Sequence, residues 1–561
     1  MTRIVDGTLN RLHQLVAEQA TGGNWEAFLR DMDEAIREKV RRPPVPDVDM
    51  LEFLHTCRQF IEGELASWVS GWSAARWLWY LRRLPRHVFA RELSTTYGYD
   101  SALAEVVSAE SRAPDTTKRP SGAMLAYDIN DSVVRRLVRY SYRIKALSQT
   151  HVLIRLANKG VKLVHDKYAL PEDKMTSEQK EAISLYDRRT ALGGHPLGRV
   201  GTIVASEDLG GDYSTSILAV ALNGAPDWAP APLGPVTAEH AQVEVLMNFV
   251  PRLISLNQLQ KLNSDPALAA KQRWTPDTAL LLLLMRNAVS LLVNLDAGIL
   301  NVLQYGYFVV EDAMFHAIIQ ARLAESSAMV QSVIPGAQMP SSSIEFLASL
   351  EALRGSSWPL RHGPPIRRVD GLVMVDLHAA TSATNSLFEF PRRFPLSSGE
   401  VDPSNIRGEH FEDAVQRLID SSPWCPPSDL KDLRGRHLIY DRKRVTDVDA
   451  IGAKGDRLLM VSCKSMIYSA EYDAGEAAAV RNVASTIEQA WSQWKGKKAF
   501  LEAHPKGDNY DFTEYKRIVG VVCTPNVFYV PLGPATDLVA PGLMAVSSFS
   551  ELRTWLTLGE S

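Results

Sequence analysis

Thr446-Asp447-Val448-Asp449-Ala450-Ile451-Gly452, followed by Leu458-Leu459-Met460-Val461-Ser462-Cys463-Lys464-Ser465, reads as two adjacent strands. Side chains alternate across a strand, so residues two apart share a face. Asp447 and Asp449 therefore point one way, with Val448 and Ala450 on the other side. On the second strand Met460, Ser462 and Lys464 share a face opposite the apolar Leu459, Val461 and Cys463. The linker Ala453-Lys454-Gly455-Asp456 carries turn residues and is short enough for a hairpin. Pairing the strands brings carboxylates, a hydroxyl and an ammonium to one end of a sheet.

That mixture suits phosphodiester hydrolysis. A hard cation such as Mg²⁺ takes oxygen ligands, commonly one or two carboxylates plus waters and substrate phosphate. It polarises the phosphate and activates water, while a neighbouring lysine offsets charge developing on phosphorus. An ordinary hairpin with solvated Asp and Lys on its outer face carries the same short motif, so context decides. Upstream, Arg407 to Asp420 repeats Phe411, Val415, Leu418 and Ile419 at helical spacing. Downstream, Ala470 to Trp494 reads as a long helix, Arg517 to Cys523 as a buried strand, and Asn526 to Val530 as another. The order is helix, three strands (Arg436 to Tyr440 being the first), helix, strand.

In that order, Gly408-x-x-Phe411-Glu412, Asp447-Val448-Asp449 and Val461-Ser462-Cys463-Lys464-Ser465 resemble the PD-(D/E)XK nuclease superfamily, the restriction endonuclease-like fold, in its Mrr-like flavour. The resemblance spans about residues 405 to 535, under a third of the chain. It implies that Asp449 is the central metal ligand, Lys464 the catalytic lysine, Glu412 an accessory acid and Asp447 a poorer ligand, with Mg²⁺ or Mn²⁺ as cofactor. Ser462 departs from the pattern, standing where the family has Glu or Asp. In one reading Glu476, twelve residues past Lys464, supplies the missing carboxylate from the next helix, as in family members with an S-x-K motif; Glu471 lies closer in sequence. In the other the site has decayed, and the domain binds nucleic acid or a partner without cutting. Asp473-x-x-Glu476 also has the form of a helix capping box.

The whole chain sets the frame. Its 561 residues, 45% hydrophobic, provide for two to four domains, and the net charge of −4 is that of an ordinary soluble protein. Four scattered cysteines without a C-x-x-C pair argue for a reducing cytoplasm and against a disulfide framework or zinc ribbon. The first seven residues lack an apolar signal core, so a cytoplasmic protein is expected. Ala279 to Gln304 imitates a membrane span, but Arg286, Asn287, Asn294 and Asp296 interrupt it, and charges near the centre of a span are costly. With Thr275-Pro276-Asp277 as a helix start, it reads as a buried core helix, and no membrane is expected.

Most of residues 1 to 330 has helical patterning, with Trp68, Trp72, Trp77 and Trp79 expected in core and inter-helix packing. Glu239 to Leu262 and Asp312 to Val333 read as helices. Arg199 to Ala205 and Ser216 to Leu222 read as a small hairpin insert within 197–224, with Ala225 to Pro235 an exposed connector. Val133 to Val164 holds eight Lys/Arg and no Asp or Glu, and a helix would align Arg136, Arg139 and Arg143. These, with Arg442, Lys443 and Arg444, are the candidate nucleic-acid contacts. Residues 401 to 561 nevertheless hold 19 Lys+Arg against 22 Asp+Glu, without the basic excess usual in a duplex binder.

The expected architecture is a mainly α N-terminal region plus a C-terminal α/β restriction endonuclease-like domain, a mixed central sheet flanked by helices. Residues 1–354 form the helical sensor or regulatory region. Residues 355–404 form a linker with one strand (Asp370 to Asp376), with the boundary at Phe394 to Ser404, and 405–561 form the nuclease domain. The expected function is Mg²⁺-dependent endonuclease action on DNA, in a fusion that resembles bacterial defence effectors by analogy of architecture, with a homo-oligomer left open as one assembly. The alternative is a catalytically impaired nuclease fold acting as a nucleic-acid-binding or protein-interaction scaffold.

Overall fold

A computed structural model describes residues 30, 31, 34, 50–83, 97–114, 125–164, 172–189, 216–222, 249–256, 276–295, 298–353, 363–389, 403–466, 472, 476–529 and 537–558. The chain opens on four helices: α1 (Met50–Val69), α2 (Ala74–Leu81), α3 (Tyr97–Ala109) and α4 (Asp131–Asn158). They pack around a ring cluster in which Trp72, Trp77, Trp79 and Tyr140 are buried, as the tryptophan spacing predicts. Two of the buried indoles find backbone acceptors: Trp77 Nε1 donates to Val69 O and Trp79 Nε1 to Leu125 O, both at 2.9 Å.

Next come the pair β1 (Lys162–Val164) and β2 (Glu172–Lys174), then α5 (Ser177–Arg189), β3 (Ser216–Leu222) and β4 (Phe249–Ser255). The strand expected at Ser216 to Leu222 is present, but its antiparallel partner is β4. The 197–224 hairpin is therefore corrected, Arg199 to Ala205 lying outside the described residues. Phe249–Ser255, expected as helix, is a strand: the run Phe-Val-Pro-Arg-Leu-Ile pairs residue for residue with the apolar β3, and Pro251 suits an edge better than a helix interior. The connector Ala225 to Pro235 also lies outside the described residues.

The chain continues through α6 (Pro276–Val293), α7 (Gly298–Tyr305), β5 (Tyr307–Glu311), α8 (Asp312–Val333), α9 (Ser343–Ala352), β6 (Ile366–Val369), β7 (Leu372–Asp376) and α10 (Leu377–Glu389). The expectation of a linker over 355–404 is corrected here. Its described part contributes two strands and a helix to the N-terminal core, in an antiparallel sheet of order β5-β7-β6. Asp370-Gly371, both at positive φ (42° and 76°), closes the β6–β7 hairpin. The apolar α6 is long and apolar enough to cross a membrane by length and composition, yet Leu281 to Met285 are buried within this core. A buried charge cluster ties the helices to the sheet. Arg82 Nη2 reaches Glu105 Oε2 at 2.7 Å and Asp376 Oδ2 at 3.2 Å, and Arg367 approaches the same Asp376 oxygen at 3.4 Å.

The C-terminal region comprises α11 (Pro403–Asp420), α12 (Ser428–Lys431), β8 (His437–Tyr440), β9 (Lys443–Asp447), β10 (Ala450–Lys454), β11 (Arg457–Cys463), α13 (Ala477–Ala503), β12 (Arg517–Thr524), β13 (Leu538–Ala540), β14 (Leu543–Met544), β15 (Val546–Ser548) and α14 (Phe549–Leu558). Its main sheet has the order β10-β11-β12-β15, antiparallel at the first pair and parallel at the other two. Helices cover both faces. Leu458, Met460, Ile518 and Val522 face Ile487, Trp491 and Trp494 of α13. Ala450, Leu459, Val461, Val519 and Val521 face Phe411, Val415 and Ile419 of α11 and Leu552 and Trp555 of α14. The alternation read from the sequence thus separates two buried cores, and it explains why β12 is continuously apolar.

Three boundaries differ from the sequence reading. The acidic strand is two strands, because β9 pairs with β8 in its own small sheet and the chain then bends at Val448-Asp449 to enter β10. The long helix runs to Ala503, past the Lys-Gly-Lys-Lys run, because Ala499, Phe500 and Leu501 sustain it until Pro505 intervenes. Asn526 to Tyr529 is buried without being a strand. The two regions meet through Arg189, whose Nε lies 2.7 Å from Glu551 Oε1 and whose Nη2 donates to Val546 O at 2.8 Å.

Gly452 sets how closely β10 approaches α11. A Cβ there would come within 2.6 Å of Ile419 Cγ2 and 2.7 Å of the Trp424 carbonyl oxygen. Gly452→Ala is expected to destabilise the protein by about 1–3 kcal/mol, measured as a lowered urea midpoint with unchanged denaturant slope.

Candidate functional site

The end of the sheet where β11 and β12 finish side by side gathers the charged residues. Val448 is buried, and its backbone is held at both ends: its N–H donates to Arg436 O and its carbonyl accepts from Gly435 N–H, each at 3.1 Å. Asp447 at the end of β9 and Asp449 in the bend flank this fixed valine in sequence. The Asp449 carboxylate accepts the backbone N–H of Cys463 at 2.7 Å, which joins the entry of β10 to the last residue of β11. The next residue, Lys464, donates its own N–H to Cys523 O at 2.9 Å, so the lysine leaves the sheet from a fixed backbone position. Glu412 reaches the same neighbourhood from α11, half-buried one residue past the fully buried Phe411.

The electrostatics show which groups feel one another. Burial pushes the Glu412 carboxyl up to about 7, the negative charges of Asp449 and Asp447 add to the rise, and Lys464 opposes it. Burial and then Asp447 raise Asp449 to about 6, against the Cys463 N–H, Lys464 and Lys497. For Asp447 burial also pushes upward, but its own backbone N–H, Lys497, Lys464 and His437 outweigh it and hold the carboxyl below its usual range. Lys497 Nζ stands 3.7 Å from Asp447 Oδ1. Three carboxylates and two lysines therefore share one site.

Comparison of the chain with protein-family models, curated proteins and solved structures finds no match in any of the three. The site is read from its own geometry.

Of the residues singled out in the sequence, the structure brings together Asp447, Asp449, Glu412 and Lys464. Ser462 is half-buried on the sheet face that carries Leu458 and Met460. Glu476 is exposed at the N-cap of α13, makes no side-chain cap bond, and is not among the charges acting on Asp449 or Glu412; its charge acts on His55 instead. Because it is the cap itself, Glu476 is not the third helical residue that a capping box requires. Glu471 and Asp473 lie outside the described residues.

Two residues went unrecognised. Lys497 lies beyond Trp494, where the sequence reading ends the long helix, and the helix continued to Ala503 carries it to Asp447. Asn526, three residues past Cys523, is buried with both side-chain amide atoms unpaired. Nothing in its local sequence signals this, and a buried amide left unpaired calls for a water, an ion or strain to account for it.

The basic candidates separate. Arg442, Lys443 and Arg444 are exposed at the tip of the β8–β9 hairpin, where Asp441 and Arg442 take positive φ (48° and 61°) in a tight turn. Arg136 and Arg143 are not free on a helix face as expected. Their guanidinium carbons lie 4.8 Å from the Trp72 ring and 4.2 Å from the Trp68 ring, leaving Arg139 as the exposed member of the three.

Does a divalent cation suit these donors? Among the described residues no three His, Cys, Asp or Glu side chains form a ready-made cage. Mg²⁺ needs no such cage, since it keeps several waters and takes one or two carboxylates. Burial first, and then neighbouring negative charge, lifts the Glu412 and Asp449 carboxyls toward neutrality, and a cation beside them would favour their ionised forms.

These shifts fix a pH response in chelator. Both carboxyls hold protons more tightly when folded than when unfolded, where Asp and Glu titrate near about 4. Their contribution to stability is therefore full below about 4 and is lost as pH rises through about 6 and 7. Glu412→Gln is expected to flatten the fall in the urea midpoint between pH 5 and 7.5, each value approximate.

Proposed function

We propose that the C-terminal region is a metal-dependent nuclease that hydrolyses phosphodiester bonds, with DNA as substrate and a restriction endonuclease-like arrangement of its core. The observation that carries this reading is the convergence of Asp449, Glu412 and Lys464 at the end of a mixed sheet covered by helices on both faces. Asp449 and Glu412 would hold Mg²⁺ or Mn²⁺, Asp447 standing beside them. The bound ion supplies charge neutralisation at phosphate and activation of water. Lys464, fixed through its backbone to Cys523, offsets negative charge growing on phosphorus. The hairpin tip at Arg442 to Arg444 is about 13 Å along β9 from Asp447, a reach suited to gripping phosphates beside the scissile one. The helical region serves as sensor or restraint, in keeping with a cytoplasmic defence effector.

Ser462 favours a second reading, a nuclease fold that binds nucleic acid or protein without cutting. The cutting reading is preferred because Glu412 on α11 feels the charges of Asp449, Asp447 and Lys464, so a further carboxylate stands near the aspartate despite the serine.

Asp449→Ala and Lys464→Ala are each expected to lower Mg²⁺-dependent cleavage of plasmid DNA by at least about 100-fold, with circular dichroism unchanged. Equal cleavage by the wild type and both variants rejects the proposal. Mn²⁺ is expected to raise the melting temperature of the wild type, more so for Ser462→Glu, and not for Asp449→Ala. Absence of a shift in both wild type and Ser462→Glu favours the non-cutting alternative.

A further inference from the structure

A cleft of about 480 Å³ opens on the helical region between the end of α1, the start of α2 and the first turns of α4. Its walls carry four arginines, Arg76, Arg135, Arg136 and Arg139, with Asp128 as the acidic residue among them. Among the described residues no carboxylate lies within ion-pair distance of any of the four. Two of them are held in place by aromatic rings rather than by acids. The Arg76 and Arg136 guanidinium carbons sit 4.9 and 4.8 Å from the same Trp72 ring, and Arg136 Nη2 donates to Trp68 O at 2.6 Å. Gly71 makes room for this: a Cβ there would fall 2.1 Å from Arg136 Nη2.

Stacking occupies the faces of a guanidinium and leaves its in-plane donors for an anion. Those donors are wanting here. Arg76 Nε, Arg136 Nε and Trp68 Nε1 are buried with no hydrogen-bond partner. Holding two like charges beside one ring with no acid in ion-pair contact is costly, and the Arg136 guanidinium is pulled below its usual range, first by burial and then by Arg76. An anion relieves both costs. The N-terminus of α4 does not compete for it, because Asn130 Oδ1 already accepts from Ser132 and Val133 N–H, each at 3.1 Å.

We propose that this cleft is a binding site for a multiply charged phosphate ligand of nucleotide size. Four positive charges against one acid exceed what a single carboxylate needs, and guanidinium forks match phosphate oxygens. The volume falls within the range of about 300–1,000 Å³ typical of small-molecule sites. The phosphates belong either to a free nucleotide or to a nucleic-acid end. The site stands independently of whether the C-terminal region cuts.

The test is titration of full-length protein in EDTA, so that the C-terminal carboxylates hold no metal. The probes are ATP, inorganic pyrophosphate and a 5′-phosphorylated oligonucleotide. Arg135→Glu combined with Arg139→Glu serves as the variant, since both side chains are exposed and outside the stacked pair. ATP or pyrophosphate is expected to raise the melting temperature by at least about 2 °C, and the double variant to weaken binding at least about 10-fold. Asp449→Ala should leave the response unchanged. A response to ATP assigns a free nucleotide; a response to the oligonucleotide alone assigns a nucleic-acid end. No response to any probe, or an equal response in wild type and a folded double variant, overturns the proposal.

Discussion

The hydrogen bond from the Cys463 backbone N–H to the Asp449 carboxylate is the constraint on which the C-terminal site depends. A carboxylate accepting a backbone N–H makes a stronger bond than a neutral acceptor does. This one fixes the bend between β9 and β10 against the end of β11, at 2.7 Å. It also supports the ionised form of Asp449 in surroundings that otherwise favour protonation. One residue further on, the Lys464 N–H is taken up by Cys523 O of the parallel neighbour, so acid and lysine are located by consecutive backbone groups of one strand. Rigid positioning of this kind comes from the sheet itself and needs no specialised loop.

The charge balance then follows from what the sheet holds together. Asp447, Asp449 and Glu412 stand against Lys464 and Lys497, and they do not share the lysines equally. Asp447 has Lys497 at 3.7 Å and is held below its usual range, while burial and neighbouring carboxylates raise both Glu412 and Asp449. Ser462, half-buried on the sheet face that carries Leu458 and Met460, adds no charge to this balance.

Much of this could be read in advance because it rests on short-range periodicity. The apolar stripe Phe411, Val415, Ile419 and the alternation through Leu458 to Cys463 both describe surfaces that must be buried, and both are. What escaped depends on partners distant in sequence. Phe249 to Ser255 has helical spacing on its own and becomes a strand because β3 offers an unpaired apolar edge. Residues 366–389 resemble a connector until β5 is seen to need β7, and Asp376 to need Arg82 from nearly 300 residues earlier. Glu476 was placed by counting from Lys464, but the chain between them does not lead its carboxylate to Asp449. Arg136 and Arg143 share a helical face as counted, yet the rings packed against that face had no representation in the count.

Helix α4 touches both halves of this account. Arg136 near its start lines the arginine cleft, and Lys159 just past its end lies 4.7 Å over the ring of Tyr529, five residues beyond β12. The span between them is about 35 Å of continuous helix. Contiguity alone does not establish coupling, which requires an element with two arrangements that both sites bias. A single helix capped firmly by Asn130 offers one arrangement. The Arg189–Glu551 contact is a better place for a second, because it joins the two regions through one partly exposed ion pair and a single backbone acceptor. This junction joins one charged side chain of α5 to β15 and α14, and it is where the helical and C-terminal regions share a buried polar contact.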